Sequence, residues 1–431
     1  MSGWNRREHD VLERYWKLSW LPLSLFCATA MASDGERVDA RARSIHERLL
    51  TLDTHLDTPA HFVWKDWSIL DRHAVEEDGS QIDLPRMIEG GLDGGFFAIY
   101  TPQGPVTPEG DRAARDAGLL RALAIRELVA AHRDRFELAL SANDAAAIAA
   151  RGRRVVFMSM ENGYPVEGDL TLLDTFYRLG VRMVGPVHFL NNRLADSSTD
   201  PAGAKWNGLS DLGRQFVAEA NRLGMVIDAS HASDAVLDQL IQLSKSPIVL
   251  SHSGCKAVFD HPRNVDDSRL RALAASGGVI QISAYSDYMI PRSNDPARRA
   301  ALDELQKASR ALVNPTAEER RELSRRRQEI EKRYPARRAT FEDFMAHLLH
   351  ALKVAGVDHV GIGIDFDGGG GVTGLEDAAD YPRITERLLK EGYSTEDLQK
   401  IWSGNVLRVL SVAEKVAAEL NRESAGSPAT R

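Results

Sequence analysis

The sequence predicts an α/β chain closed as a (β/α)8 TIM barrel, and three observations support this. Eight short apolar runs recur along the body of the chain, amphipathic helix-length stretches separate most of them, and six of the eight deliver His, Asp or Glu at their carboxyl ends. Strand alternating with helix makes a parallel sheet, eight such units close it, and a barrel gathers its functional groups where its strands end. An open doubly wound sheet is the alternative topology, but no glycine-rich dinucleotide loop follows the first run.

The runs span residues 50–54, 95–100, 155–160, 182–187, 225–230, 247–251, 278–283 and 359–364. Each has five or six residues rich in Val, Ile, Leu, Met or Phe, the composition of strands buried on both faces. Residues 111–132 and 209–223 read as amphipathic helices between them. Segment 292–338, between the seventh and eighth runs, breaks the pattern and is dense in Arg, Lys and Glu. Within it, 318–334 (EERRELSRRRQEIEKRY) reads as a highly charged helix that Pro335 ends. The expectation is a solvated helical insertion. Because it follows a strand it belongs to the face that carries the chemistry, so a lid or subunit contact is the sharper alternative.

The ends of the chain read differently from its body. The apolar run 18–32 contains a proline and is too short to span a bilayer. It follows Arg14 and Lys17 and ends in Ala30-Met31-Ala32, so residues 1–32 are expected to be a secretory signal peptide. Glu8, Asp10 and Glu13 are unusual in such a segment, and an ordinary cytoplasmic extension is the alternative. Residues 33–420 then form the barrel domain and 421–431 a disordered polar tail with no membrane anchor. The expected location is periplasmic or secreted. Cys27 and Cys255 cannot make a disulfide scaffold.

Of 431 residues, 43% are hydrophobic and 27% charged, which excludes a fibrous or wholly disordered chain. Lys and Arg number 54 against 62 Asp and Glu, a net charge of −8 without the basic footprint of a nucleic-acid binder.

The polar residues that follow the runs carry the chemistry. The first run leads to His55 and Asp57, the third to Glu161, the fourth to His188, the fifth to Asp228 and His231, the sixth to His252, and the eighth to Asp365 and Asp367. His55 and Asp57 are two apart and share one face of an extended strand, which suits one metal ion. His231 and His252 come from neighbouring strands and suit a second ion, with Glu161 between the two groups in strand order as a bridging carboxylate. Two ions that share a water lower its pKa and clamp an attacked carbonyl. Imidazole with carboxylate favours Zn, although Mn, Fe and Co accept the same ligands. Asp365 is the remaining carboxylate for acid/base work, His188 a candidate oxyanion stabiliser, and Arg263 a candidate for bidentate binding of a substrate carboxylate. Asp228 and Ser230 are expected to bond backbone, and Asp367 to shape the turn at Gly368–Gly371. His61, His73, His132 and His347 match no strand end.

Taken in order, Asp53-Thr-His55-Leu-Asp57, Met160-Glu161-Asn-Gly163, His188-Phe-Leu-Asn191-Asn192, Asn221 through His231, Ser251-His252-Ser253, His261-Pro-Arg263-Asn264 and Gly363-Ile-Asp365-Phe-Asp-Gly368 resemble the renal-type membrane dipeptidases, zinc peptidases of the amidohydrolase superfamily. The resemblance covers most of the barrel. It implies two zinc ions per chain, His55 and Asp57 on one, His231 and His252 on the other, and Glu161 bridging. It implies that Asp365 is the acid/base and that His188 and Arg263 contact the scissile-carbonyl oxygen and the tetrahedral intermediate. The expected reaction is hydrolysis of L-Xaa-Xaa dipeptides, with L or D at the C-terminal residue, by a metal-bridging hydroxide. A homodimer is expected by the same analogy. Alternatives on the same scaffold are an amidohydrolase for N-acyl amino acids and a non-peptidase maturation protein. Four positions depart from the family pattern: Asn162 stands where glycine is familiar, Ala229 where leucine is, and Phe189-Leu190 where a smaller, more polar pair is.

Overall fold

The computed structural model describes residues 38–312 and 316–426. Among the described residues there are ten strands: β1 (Leu52–Leu56), β2 (Gly94–Tyr100), β3 (Phe136–Leu138), β4 (Arg154–Glu161), β5 (Val181–Val184), β6 (Val226–Ile227), β7 (Val249–Cys255), β8 (Asn264–Val265), β9 (Val279–Ile282) and β10 (Val360–Ile362). Eight of them make the ring. Parallel ladders run β1-β2-β4-β5-β6 and β7-β9-β10. Two single parallel bridges, Asp228 to Val249 and Leu56 to Phe366, join these arcs into a closed barrel. The expected fold class holds.

The apolar runs form strands because both faces are covered. Every residue of β1, β5, β6, β7, β9 and β10 is buried, by facing side chains inside and by helices outside. Register sets neighbours into contact: Phe96 lies opposite Phe157 on β2 and β4, and their rings stack 4.8 Å apart.

Boundaries differ from the sequence reading where side chains replace the ladder. The first run is shifted, with the strand at Leu52–Leu56 and not at 50–54. The fourth and fifth runs shorten to Val181–Val184 and Val226–Ile227. β3 and β8, short strands on the edges of β4 and β7, were not anticipated, because two or three residues carry no periodicity. The helix expected at 209–223 is Asp211–Leu223, started by Ser210, whose side chain accepts from Gly213 N.

Segment 292–338 is a pair of helices, not one. Pro296–Ala311 precedes the anticipated charged helix, Ala317–Arg333, which opens on a capping box between Thr316 and Glu319. Arg298 ties the two by donating to Tyr334 O at 2.8 Å and pairing with Glu331. The second helix lies on the loop after β1: Ser324 Oγ and Gln328 Nε2 both donate to Glu76 O at 2.8 Å, and buried Arg320 donates to Lys65 O.

The last helix runs Asn405–Gly426, so the expectation of disorder from 421 is corrected: residues 421–426 continue the helix. Residues 1–32, expected to be a signal peptide, lie outside the described residues. Among the described residues no helix is long and apolar enough to cross a membrane.

Candidate metal centre and active site

The sequence-singled side chains meet at the carboxyl end of the ring. His55 lies on β1 and Asp57 directly follows it, and His55 Nε2 lies 3.3 Å from Asp57 Oδ2 and 3.6 Å from Glu161 Oε2. Glu161 ends β4 and reaches both ways, its Oε1 standing 2.9 Å from His231 Nε2 and 3.4 Å from the Nε2 atoms of His252 and His188. Asp365 Oδ1 lies 3.9 Å from His55 Nε2. All of these side chains are buried. Three overlapping sets have ligand atoms within 4.8 Å of one another: His55-Glu161-His252, Glu161-His188-His231 and His55-Asp57-Asp365.

The donor set fits divalent cations. His55 Nε2 is buried with no hydrogen-bond partner, and His231 Nε2 meets His252 Nε2 at 2.9 Å. The neighbours of His252 assign its tautomer. Ser251 Oγ donates to Asp228 Oδ2 at 2.5 Å, so it accepts from His252 Nδ1 at 2.8 Å, and the Nε2 lone pair is aimed into the cluster. Burial, with Arg263 and His188 beside His231 and His55 beside His252, holds both imidazoles well below their ordinary pKa, whereas at His55 burial is outweighed by the carboxyl groups of Glu161 and Asp57, which hold it well above. Burial pushes the Glu161 carboxyl up, but His188 and His55 outweigh it and keep the carboxylate ionised. Asp365 goes the other way. Burial dominates, His55 pulls it down, Asp57 and Glu161 push it up, and the group sits well above the usual carboxylate range.

The backbone is bent to present these groups. Asn162, His231, Asp365 and Asp367 adopt φ of 70°, 68°, 71° and 67°, a left-handed conformation that costs a non-glycine residue roughly 1–3 kcal/mol. At Asn162, where family members carry glycine, the side chain offsets that cost: Nδ2 donates to Thr101 O at 2.9 Å, and Oδ1 accepts from Asn192 Nδ2 and Tyr164 N. Gly368 is required by close approach, since a Cβ there would fall 2.1 Å from Asp57 Oδ2 and 2.2 Å from Asp365 Oδ1.

Around the cluster, buried carboxylates tie strand ends together. Asp228 accepts from Ser230 N and Ser251 N, both at 2.9 Å, and so bonds backbone as anticipated. Asp53 does the same between β1 and the end of β10, accepting from His55 N, Ile364 N and the Tyr381 hydroxyl, and burial raises its pKa to about 6. Sequence reading quoted Asp53 but gave it no role; the available signal was its place two residues before His55, on the same strand face. Asp367 is fixed by Thr58 Oγ1 at 2.6 Å and Gln81 N at 2.7 Å, and Gln81 was missed because it sits in an irregular loop.

His188 lies against Glu161, as stated, with its ring 3.9 Å from that of His231. Arg263 is buried, donates to His252 O at 3.1 Å, and lies 5.1 Å from the centroid of the Tyr288 ring. Of the histidines set aside, His61 and His347 are buried and His73 and His132 are half-buried. None of the four belongs to the metal-type groups.

Comparison with known proteins agrees with this geometry. The family model described as membrane dipeptidase, peptidase family M19, matches residues 39–424. The dipeptidase tcpJ of Claviceps purpurea is 31% identical over 363 residues, 82% of this chain and 74% of that protein. The crystal structure of the probable dipeptidase PvdM from Pseudomonas aeruginosa superposes with a TM-score of 0.73 at 32% identity, covering 88% of this chain and 98% of the other. A metallopeptidase from Rhodobacter sphaeroides, liganded with a phosphinate mimic of the dipeptide L-Ala-D-Ala, gives a TM-score of 0.66 at 25% identity, covering 85% and 99%. A barrel with carboxylates and imidazoles converging at its rim, matched along almost all of its described length, is therefore a metal-dependent dipeptidase, and the chain belongs to the membrane dipeptidase family, peptidase family M19.

Proposed function

We propose that the protein is a two-zinc dipeptidase that hydrolyses L-Xaa-Xaa dipeptides with either an L or a D residue at the C-terminal position. The observation that carries this reading is the buried convergence of five ligand-type side chains beside a further buried carboxyl group, Asp365, whose Oδ1 lies 3.9 Å from His55 Nε2. His55 and Asp57 would hold one ion, His231 and His252 the other, with Glu161 shared between them. Bound there, the ions supply an acidified water and polarise the scissile carbonyl. The imidazole and carboxylate donors favour zinc. The L-Ala-D-Ala mimic on the Rhodobacter relative supports tolerance of a D residue.

The chain's own residues do the rest. Asp365 takes the proton released as water adds to the carbonyl carbon and hands it to the departing amine nitrogen as the C–N bond breaks. His188 stabilises charge developing on the carbonyl oxygen, and Arg263 places a fixed positive charge beside it. The signal-like segment 18–32 supports a periplasmic or secreted site of action.

The test is hydrolysis of a panel of L-Xaa-L-Xaa and L-Xaa-D-Xaa dipeptides by zinc-loaded protein, with Asp365→Asn beside it. Cleavage by the wild type alone is the expected result. Silence across the panel with two metals bound would overturn the reading in favour of another amide substrate or a non-catalytic role. Cleavage of N-acetylated dipeptides as fast as free ones would move it to the N-acyl amidohydrolases.

A further inference from the structure

The loop that follows β5 carries a feature the metal cluster does not use. Phe189 is 43% exposed, although its ring centroid lies 3.9 Å from that of His188 and meets the ring of His231 edge-on at 5.1 Å. Tyr100, at the end of β2, lies 4.8 Å from His188. A large apolar ring thus reaches solvent within one ring's breadth of a side chain assigned to a metal.

The loop does not owe this to slackness. Ser197 Oγ donates to His188 O at 2.5 Å and Thr199 Oγ1 to Phe189 O at 3.2 Å. Asn191 N donates to Asp200 Oδ2 and Asn191 Nδ2 to Gly203 O, each at 2.7 Å, and the Trp206 indole donates to Asn192 O at 2.8 Å. A segment pinned at five points on both sides of Phe189 fixes where the ring is presented. On the far side of Glu161 from His231, His55 is joined by the carboxyl groups of Asp57 and Asp365.

We propose that Phe189 is a specificity-determining residue whose exposed face takes an apolar side chain of the dipeptide. The inference rests on the dipeptidase reading above and names the substrate class within it: dipeptides with a bulky apolar residue at one position. Covering the ring with such a side chain removes apolar surface of both partners from water, whereas a methyl group covers little of it.

The experiment compares kcat/KM for Ala-Ala, Leu-Ala, Ala-Leu, Phe-Ala and Ala-Phe on the zinc-loaded wild type, Phe189→Ala, Phe189→Trp and, as a remote exposed control, Leu243→Ala. The wild type should prefer the bulky residue at one position over Ala-Ala by about 10-fold. Phe189→Ala should erase most of that ratio through KM at unchanged metal content, Phe189→Trp should keep it, and Leu243→Ala should leave it unaltered. A wild type without preference, or a Phe189→Ala variant that lowers every substrate by the same factor, overturns the proposal while the dipeptidase reading stands. A wild type that cleaves no dipeptide at all overturns both.

Discussion

The barrel rim and the helical arm of residues 292–338 use the same residue types to opposite ends. At the rim, His55, Asp57, Glu161, His231, His252 and Asp365 are all buried, and each lies within a ring strand or a few residues after one. On the arm, charge is paired in water: Arg325 bonds Glu322 and Glu329 with its side chain 58% exposed. Burial makes each rim charge interact strongly and makes any unpaired partner costly, whereas exposed pairs are screened and contribute little. Arg320 is the arm's exception. It is buried, donates to Lys65 O, and lies over Trp64, which stacks on His61 at 3.8 Å, whose Nδ1 is 4.0 Å from Asp367 Oδ1. The difference teaches that position relative to the strand ends, not charge density, decides which ionisable groups are buried together.

The largest effect should come from the rim. His231→Ala should remove one metal equivalent, read by elemental analysis, and bring dipeptide hydrolysis to background. Retention of two ions would break the assignment of that side chain. Asp365→Asn should keep both metals and lose about 10²–10⁴-fold in kcat. Near-normal turnover would mean the proton travels by another group.

The barrel body should also be acid-sensitive in a way the arm is not. Burial holds His46 and His347 at pKa values of about 4, against 6.5 for the free side chain. Between pH 6.5 and 4 the unfolded chain takes up protons that the folded chain refuses. Stability is therefore lost as pH falls through that window, by about 3 kcal/mol for each histidine. Urea midpoints measured from pH 7 to 4 check this, and replacing either histidine by Gln should flatten the slope. Smaller still, Arg320→Ala should cost about 2 kcal/mol, from a lost charged hydrogen bond and its stacking on Trp64. Arg325→Ala, on the same helix, should leave the urea midpoint where it was. Equal effects from the two would erase the distinction between the arm's buried contact and its solvated face.

How much of this was legible in the sequence follows from the same contrast. Buried strands advertise themselves through composition, so all eight ring strands could be located, and their last polar residues named the site. The resemblance then divided those residues between two ions. What stayed hidden was set by contacts distant in sequence. Asp53 reaches Ile364 and Tyr381, and Gln81 reaches Asp367, pairings that no local pattern encodes. β3 and β8 owe their existence to the neighbour they pair with. The helix 296–311 escaped because it is amphipathic only against its partner 317–333, and the tail escaped because its polar residues extend a helix whose earlier turns are the ones buried.

The bridge from Leu56 to Phe366 that shuts the ring also dictates when the protein can come into being. It joins residues more than three hundred positions apart, and contacts of such separation form slowly and late. Asp57 N bonds Phe366 O and Thr58 bonds Asp367 across that seam, so the first strand has no finished edge until the last one has left the ribosome. Until then β1 offers an open edge, a template for pairing with other chains. Loading with metal must accordingly follow synthesis of nearly the whole chain, and truncation before residue 367 should yield aggregation in place of a weaker enzyme.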